Sequence, residues 1–382
     1  MKKVYFDSAA TTQMRSEVIQ CMSEVLKTEY GNPSSTHSYG RSSKSLLETA
    51  RKEIAGFLNV SASEIIFTAG GTEADNLALQ SAVLNLGVKR IITSKIEHHA
   101  VLHTIEILEN RYDVNVEYVG LTSSGCVDYA DLERLLSSSS EKTLVSLMHV
   151  NNEVGTMIDL KRVALLCKDY DALFHSDMVQ SVGHFKLDFE DIPIDFAAVS
   201  AHKFHGPKGI GFAFVRKNSG LQPLIFGGEQ ERGLRAGTEA VYAIAGMAEA
   251  LRISYQNLDK EKAYITGIKE YFIQKLKDKI PGVHFNGGCE DSEGSTYTLI
   301  NVCLPISEEK AMMLLFQLDL KGIACSKGSA CQSGSNMGSH VLAQLLPSED
   351  LKKPSVRFSF SSFNTLEEVD YVIDVLKEFV ES

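Results

Sequence analysis

The chain has no surplus of positive charge, no Cys-x-x-Cys pair, no internal repeat and no apolar run long enough to cross a bilayer. Its 382 residues carry 38 basic and 49 acidic side chains, a net charge of -11. That balance argues against a phosphate-backbone partner and for a protein that handles small molecules or other proteins. The opening Met1-Lys2-Lys3 meets Asp7 before an apolar targeting segment develops, so the expected location is the cytoplasm, with no membrane partner. Seven cysteines (Cys21, Cys126, Cys167, Cys289, Cys303, Cys325 and Cys331) are odd in number and widely spaced. This excludes a dithiol redox motif or zinc ribbon and leaves most of them as small buried hydrophobes. The one low-complexity run, Ser137–Ser140, reads as a solvated loop.

What is present is ample apolar material, 44% of the chain, enough for a large α/β domain with a smaller one beside it. From Ser16 to Gly211 short β-branched runs alternate with amphipathic stretches. Strands are expected at Glu64–Thr68, Arg90–Thr93, Asn115–Val119, Leu144–Val150, Leu173–His175, Phe196–Ser200 and Ile210–Val215. Helices are expected at Ser42–Leu58, Glu73–Leu86, Ala100–Glu109 and Lys161–Tyr170. The pattern predicts a mostly parallel seven-stranded sheet flanked by helices, with ligands at the carboxyl ends of the strands. A long helical region from Thr238 to Lys279 leads to strands at Tyr297–Val302, Gly322–Cys325 and Val356–Phe360. Residues 16–250 are thus expected to form the large domain, and 1–15 with 251–382 a smaller α+β one.

The candidate chemistry sits at strand ends. In Val199-Ser200-Ala201-His202-Lys203-Phe204-His205-Gly206-Pro207-Lys208-Gly209, Lys203 follows an apolar strand. A partly desolvated lysine there suits Schiff-base formation, although the segment alone fits a surface lysine beside a turn equally well. Thr68-Ala69-Gly70-Gly71-Thr72-Glu73 opens a helix with glycines and a threonine, either an anion cradle or a plain helix start. Asp177 is a turn residue or a carboxylate that keeps a pyridinium nitrogen protonated. Asn151 and Asn152 either bond a ring hydroxyl or cap a turn. His98 either stacks on a flat heteroaromatic ring or packs at a helix start. The histidines His98, His99, His103, His202 and His205 form no complete ligand set, so no metal is expected. A lysine, an aspartate, a phosphate cradle and an imidazole after different strands together suggest pyridoxal 5′-phosphate.

These residues lie in blocks that resemble a known family: the class V, fold-type I pyridoxal-phosphate enzymes, and within them the cysteine desulfurases of the NifS/IscS kind. The blocks run in order through Tyr5-Phe6-Asp7-Ser8-Ala9-Ala10-Thr11-Thr12, Gly31-Asn32-Pro33-Ser34-Ser35, Thr72-Glu73-Ala74-Asp75-Asn76, Glu97-His98, His149-Val150-Asn151-Asn152-Glu153, Asp177-Met178-Val179-Gln180, the Lys203 segment, Arg235-Ala236-Gly237-Thr238, Gly328-Ser329-Ala330-Cys331 and Val356-Arg357-Phe358-Ser359. The resemblance implies that Lys203 carries the cofactor and that Asp177 holds the pyridine nitrogen. It further implies that Gln180 and Asn152 bond the ring oxygen side, that His98 stacks on the ring, and that Gly71, Thr72, Ser200 and His202 surround the phosphate. By the same resemblance Thr238 reaches the phosphate of a second subunit in a homodimer, and Arg357 with Asn32 takes the substrate carboxylate. A guanidinium fork suits that carboxylate on chemical grounds alone.

Cys331 lies in a stretch from 325 to 338 too rich in Gly and Ser to pack, so its thiol is expected on a mobile loop. Cys325, at the end of an apolar strand, is expected in the core. The expected reaction converts L-cysteine to alanine: Lys203 removes the Cα proton, His98 carries a proton, and Cys331 captures the sulfur as a persulfide for a sulfur-acceptor protein. Two departures stand out. Phe360-Ser361-Ser362-Phe363 occurs where relatives often have Leu-Gly-Arg, and the chain stops at Ser382 without a longer tail that some relatives use to dock an iron–sulfur scaffold. Rival readings are a selenocysteine lyase, a class V aminotransferase that would have no use for Cys331, and a non-catalytic sulfur-carrier or scaffold subunit.

Overall fold

A computed structural model describes residues 2–327 and 338–381. Up to residue 215 the chain forms strands β1 (Val4–Tyr5), β2 (Ile65–Thr68), β3 (Arg90–Thr93), β4 (Asn115–Tyr118), β5 (Thr143–Ser146), β6 (Leu173–Asp177), β7 (Phe196–Ser200) and β8 (Gly211–Val215). Between and after them run helices α1 (Ser16–Thr28), α2 (Ser38–Phe57), α3 (Gly71–Leu84), α4 (His99–Tyr112), α5 (Tyr129–Ser137), α6 (Leu160–Asp169), α7 (Val241–Gln256) and α8 (Leu258–Lys279). Seven strands pair in the order β2-β8-β7-β6-β5-β3-β4. Only β8 runs antiparallel to its neighbours β2 and β7; the others are parallel. The α/β class and the mostly parallel seven-stranded sheet are as the sequence predicts.

The inner strands read as continuous apolar runs because helices cover both faces. Alternate side chains serve opposite layers. Phe67, Val145, Phe174, Val199 and Phe212 pack with Leu47 and Ile54 of α2, Val163 of α6 and Met247 of α7. Ile66, Ile91, Leu144, Phe196 and Ala213 pack with Leu77 of α3 and Val101 and Ile105 of α4. The edge strand β4 is the polar exception, Asn-Val-Glu-Tyr with both ends exposed, as suits a strand with one free edge.

The remaining strands, β9 (His284–Phe285), β10 (Leu299–Cys303), β11 (Ile323–Ala324) and β12 (Ser355–Ser359), accompany α9 (Glu308–Leu320), α10 (Leu342–Leu345) and α11 (Leu366–Glu381). β10 lies between β9 and β12 in an antiparallel sheet, while β11 pairs with β1 from the other end of the chain. A second core of Phe272, Leu314, Val356, Phe358, Val372 and Leu376 takes in Val4 and Phe6. Phe6 contacts Phe272 edge-on at 5.6 Å and Phe360 at 5.3 Å. Anchoring Phe6 there directs residues 7–12 along the carboxyl ends of the large sheet.

Three expectations need correction. The strand expected at Leu144–Val150 ends at Ser146, because the Met148 N–H donates to the Glu97 carboxyl at 2.9 Å and the Asn151 side chain accepts from Glu153 and Val154 to start a turn. That turn closes at Gly155, whose φ of +77° and 2.9 Å approach of a would-be Cβ to Leu299 leave no room for a side chain. The helical region expected from Thr238 to Lys279 begins at Val241 and breaks at Asn257, where the Asn257 side chain donates to the Ile253 carbonyl. Helices α1 and α5 lie outside the predicted elements, although Val18, Ile19, Met22, Val25 and Leu26 of α1 stand at helical spacing on one side, with Val18 and Val25 buried and Ile19 and Leu26 exposed.

Arg51 and Glu231 form a buried bidentate pair at 2.6 and 2.8 Å, with side chains 2% and 1% exposed. Glu231 also accepts the Phe67 N–H, tying the segment before Thr238 to β2. Glu231→Gln removes the buried partner of Arg51 and leaves its charge only Glu48, at 3.1 Å and 36% exposed. Urea unfolding at fixed protein concentration is expected to show a loss of about 3–5 kcal/mol.

Candidate active site

The ends of β2, β3, β5, β6 and β7 open into one cavity of about 230 Å³. Its walls bring together ten of the expected residues: Gly71, Thr72, His98, Asn152, Asp177, Gln180, Ser200, His202, Lys203 and Arg357. A neighbouring hollow shares Gly71, Thr72, Ser200 and His202 and adds Gly70, Asn76 and Gly209. Asn32 and Thr238 are exposed and line neither space in their own chain. Cys331 lies outside the described residues.

Lys203 sits in a short 3-10 turn after β7, and its Nζ donates to the carbonyls of Ala9 and Ala10 at 2.6 and 2.8 Å. Those carbonyls arrive on the N-terminal segment that Phe6 anchors. Thr12 reinforces the arrangement by donating to the His202 carbonyl at 2.8 Å, and Gln180 donates to Ala9 at 2.9 Å. Lys208, by contrast, is exposed at the rim of the second hollow and does not line the first.

Asp177 ends β6 and is 7% exposed. Among the described residues its carboxyl accepts one hydrogen bond, from Val179 N–H at 2.9 Å. Burial pushes its pKa up, and the nearby His98 and Lys203 oppose that shift. A buried carboxylate so sparsely bonded fits a cationic partner such as a protonated ring nitrogen. His98 caps α4, with Nδ1 accepting from Ala100 N–H at 3.1 Å, and burial holds its imidazole below the ordinary value. Burial likewise takes His202 down to about 4. Both rings therefore face the cavity neutral at pH 7.

The opposite end fits a phosphate. The N-cap of α3 is Gly70, with no side chain capping the first N–H groups, so helix-start donors remain available to an anion. A Cβ on Gly71 would come 2.5 Å from Val179 and intrude on the cradle. Glu73, which would repel an anion, is turned aside: it accepts from Ala69 N–H at 2.8 Å and pairs with Arg235 at 2.9 Å. Donors at one end, a buried carboxylate in the middle and an amine beside it suit pyridoxal 5′-phosphate.

Arg357 lies on β12, 1% exposed, yet lines the cavity. It donates to Asp7 at 2.9 Å and to the Asn152 carbonyl at 2.7 Å, which fixes the guanidinium plane. The unusual Phe360-Ser361-Ser362-Phe363 run does not line this cavity; Ser361 faces a small space behind Lys203, and Phe363 packs edge-on against His205 at 5.1 Å. Cys325 packs on the second core, and burial raises its thiol to about 12, which makes it a poor nucleophile.

Several lining residues escaped sequence reasoning: Asp75, His99, Glu153 and His340. His340 stacks near His99 with ring centroids 4.4 Å apart and bonds the Glu97 carbonyl. The signal for Asp75 was a carboxylate on the face of α3 that otherwise buries Ala74, Leu77, Ala78 and Leu79. Among the described residues no three histidines, cysteines or carboxylates are grouped to hold a metal ion, and no helix is long and apolar enough to cross a membrane.

Residues 4–372 match the family model described as aminotransferase class-V. "Cysteine desulfurase IscS" of Dictyoglomus turgidum is 39% identical over 382 residues, covering all of this chain and 95% of its own length. A solved "NIFS-LIKE PROTEIN" superposes with a TM-score of 0.90 at 34% identity, covering both chains completely. A structure titled "SspA in complex with cysteine" gives a TM-score of 0.82 at 30% identity, over 95% of this chain and all of its own.

Glu97, wholly buried, is raised to about 8, chiefly by desolvation and against its bonds from Ser94 and Met148. Because the folded protein holds this proton more tightly than the unfolded chain, the stabilisation is complete below the ordinary value of 4.5 and is lost as pH rises through about 8. Glu97→Gln is expected to flatten that fall in denaturant midpoint between those pH values.

Proposed function

The chain belongs to the aminotransferase class-V family as one of its cysteine desulfurases, and from that premise we propose how its residues divide the work. The observation that carries the reading is that Lys203, Asp177, His98 and Arg357, from four separate segments, line one cavity. Gly71, Thr72, Ser200 and His202 would hold the phosphate of pyridoxal 5′-phosphate, Asp177 its ring nitrogen, Asn152 and Gln180 its oxygen side, His98 its face and Lys203 its aldehyde carbon. When bound, that group supplies an electron sink for the Cα–H bond of an amino acid.

The protein's own residues then act in sequence. Arg357, held planar by Asp7 and Asn152, binds the carboxylate of L-cysteine as a fork. Lys203 Nζ takes the Cα proton, from a position that the Ala9 and Ala10 carbonyls define. His98, neutral at pH 7, accepts the proton that the Cys331 thiol must lose. The Cys331 thiolate attacks the substrate sulfur; the sulfur–carbon bond breaks as the sulfur–sulfur bond forms, its electron pair stays with the carbon skeleton, and protons returned to Cα and Cβ from Lys203 and His98 let that skeleton leave as L-alanine. The persulfide on Cys331 passes to a sulfur-acceptor protein that serves iron–sulfur cluster assembly or another sulfur route.

The working unit is a homodimer. Ile19, Leu26, Tyr30, Tyr39 and Phe226 are exposed, Phe226 at 82%, more apolar surface than isolated residues explain. Thr238, also exposed, and Asn32 would enter the partner's cavity from that face. We further assign residues 16–250 to the cofactor-binding domain and 1–15 with 251–382 to the smaller one, since the buried members of the second core come from positions 4–6 and 265–376. The unpaired thiols among the described residues suit a reducing, cytoplasmic setting.

Lys203→Ala is expected to abolish the visible absorbance of the purified protein and its alanine production. Cys331→Ser is expected to retain the absorbance, yet form no persulfide by mass spectrometry after incubation with L-cysteine; normal turnover in this variant would refute sulfur capture at Cys331. Phe226→Asp is expected to shift light-scattering mass toward the monomer and to lower cofactor occupancy with it.

A further inference from the structure

One chain of buried polar side chains lies beside the ring-nitrogen carboxylate and has no part in the mechanism above. His175 and Asp177 are two residues apart on β6 and so face the same side of the sheet. Asp75, from the second turn of α3, lines the cavity together with Asp177. Its Oδ1 lies 3.3 Å from Nε2 of His175, and the other ring nitrogen of His175 is 2.9 Å from the hydroxyl of Ser146, its register partner on β5. The two side chains are 1% and 0% exposed. Among the described residues neither Asp75 Oδ1 nor His175 Nε2 makes a hydrogen bond of good geometry, so each buried atom has the other, at 3.3 Å, as its nearest candidate partner.

Asp75 and Asp177 in one dry wall cannot both ionise cheaply, because each negative charge opposes the other where water cannot screen them. Burial, then Asp177, then Glu97, raise the Asp75 carboxyl well above its usual value. Burial takes His175 down to about 3. An Asp75 carboxylate facing a His175 imidazolium would put two charges where the surroundings disfavour both, so the proton that the pair shares belongs on the acid.

We propose that Asp75 is a positioning residue kept as a neutral carboxylic acid, donating to Nε2 of His175, whose Nδ1–H donates to Ser146. Asp177 is then the sole anion offered to the ring nitrogen. The wall beside it supplies shape and fixed hydrogen bonds without a second negative charge that would repel an incoming amino-acid carboxylate. The functional consequence rests on the cofactor placement proposed above, whereas the protonation state of Asp75 does not.

Infrared difference spectra of the cofactor-free protein, wild type minus Asp75→Asn, separate the two. The proposal expects the C=O stretch of a protonated carboxylic acid in the wild type at pH 7. A carboxylate band in its place at pH 7 overturns it. The amide of Asp75→Asn donates as the acid does, so pyridoxal 5′-phosphate affinity should stay within about twofold of wild type and the absorbance maximum should not shift, whereas a tenfold loss of affinity would show that Asp75 carries charge. Should Asp75→Asn not fold, nitrogen NMR of histidine-labelled wild type gives the same decision: a neutral Nδ1–H ring at His175 supports the proposal and an imidazolium overturns it. Asp177→Asn serves as the control for the cofactor reading; unchanged affinity there would refute that placement and leave the Asp75 result standing.

Discussion

A carboxylate buried at the end of β6 is the charge around which the cavity is arranged. Asp177 has one backbone donor and little water, so its ionised form depends on positive charge brought to it. Lys203 stands where its field reaches it, while His98, neutral at pH 7, brings no such charge. The sheet makes the convergence possible: parallel strands end on the same edge, and each strand end delivers a different functional group to one place. Arg357 arrives from the other sheet and has its own carboxylate in Asp7, which leaves Asp177 uncommitted.

The N-terminal segment joins the two halves of the site. Phe6 is locked among Phe272 and Phe360 in the second core, and a few residues later Ala9 and Ala10 present carbonyls to the Lys203 amine. Asp7, between them, orients the guanidinium. Packing in one core therefore sets hydrogen-bond geometry at the edge of the other sheet, and the lysine and arginine are held in register through five residues of chain rather than by direct contact.

The fold was legible because the inner strands are apolar on both faces and the helices between them are periodic, signals that are local in sequence. Of the ten expected residues that line the cavity, nine lie at or just after strand ends, where Gly, Thr, Asp and His are conspicuous, whereas Arg357, inside β12, was pointed to by the family resemblance. What escaped notice was non-local. The β5 boundary depends on Glu97 taking a backbone N–H that the ladder would otherwise use. Helix α1 is the exception, since Val18, Ile19, Met22, Val25 and Leu26 stand at helical spacing on one side and that local signal went unread. The carbonyls of Ala9 and Ala10 have no side-chain signature, and Asp75 looks like an ordinary polar residue of a surface helix until α3 is seen to be buried. Asn32 and Thr238 lie away from their own chain's cavity, so a single chain cannot display the contacts the family resemblance implies for them.

The pairing of β1 with β11 sets the order in which the protein can mature. Val4 aligns with Ile323, Asp7 bonds Ser326 and Arg357 across 319 and 350 residues of sequence, and the Lys203 amine takes its position from the same segment. On a ribosome Val4 and Asp7 must wait for these partners until more than three hundred further residues have been made, whereas Ala9, Ala10 and Thr12 can meet Gln180, Lys203 and His202 earlier. Contacts of such separation form late, since the loop they close must first lose its entropy. The large sheet and the Lys203 contacts can assemble during synthesis, but the Arg357 guanidinium reaches Asp7 only when residues 4–7 meet residues 323–357. The two groups that line one cavity are therefore brought into register by the same segment at two different times in synthesis.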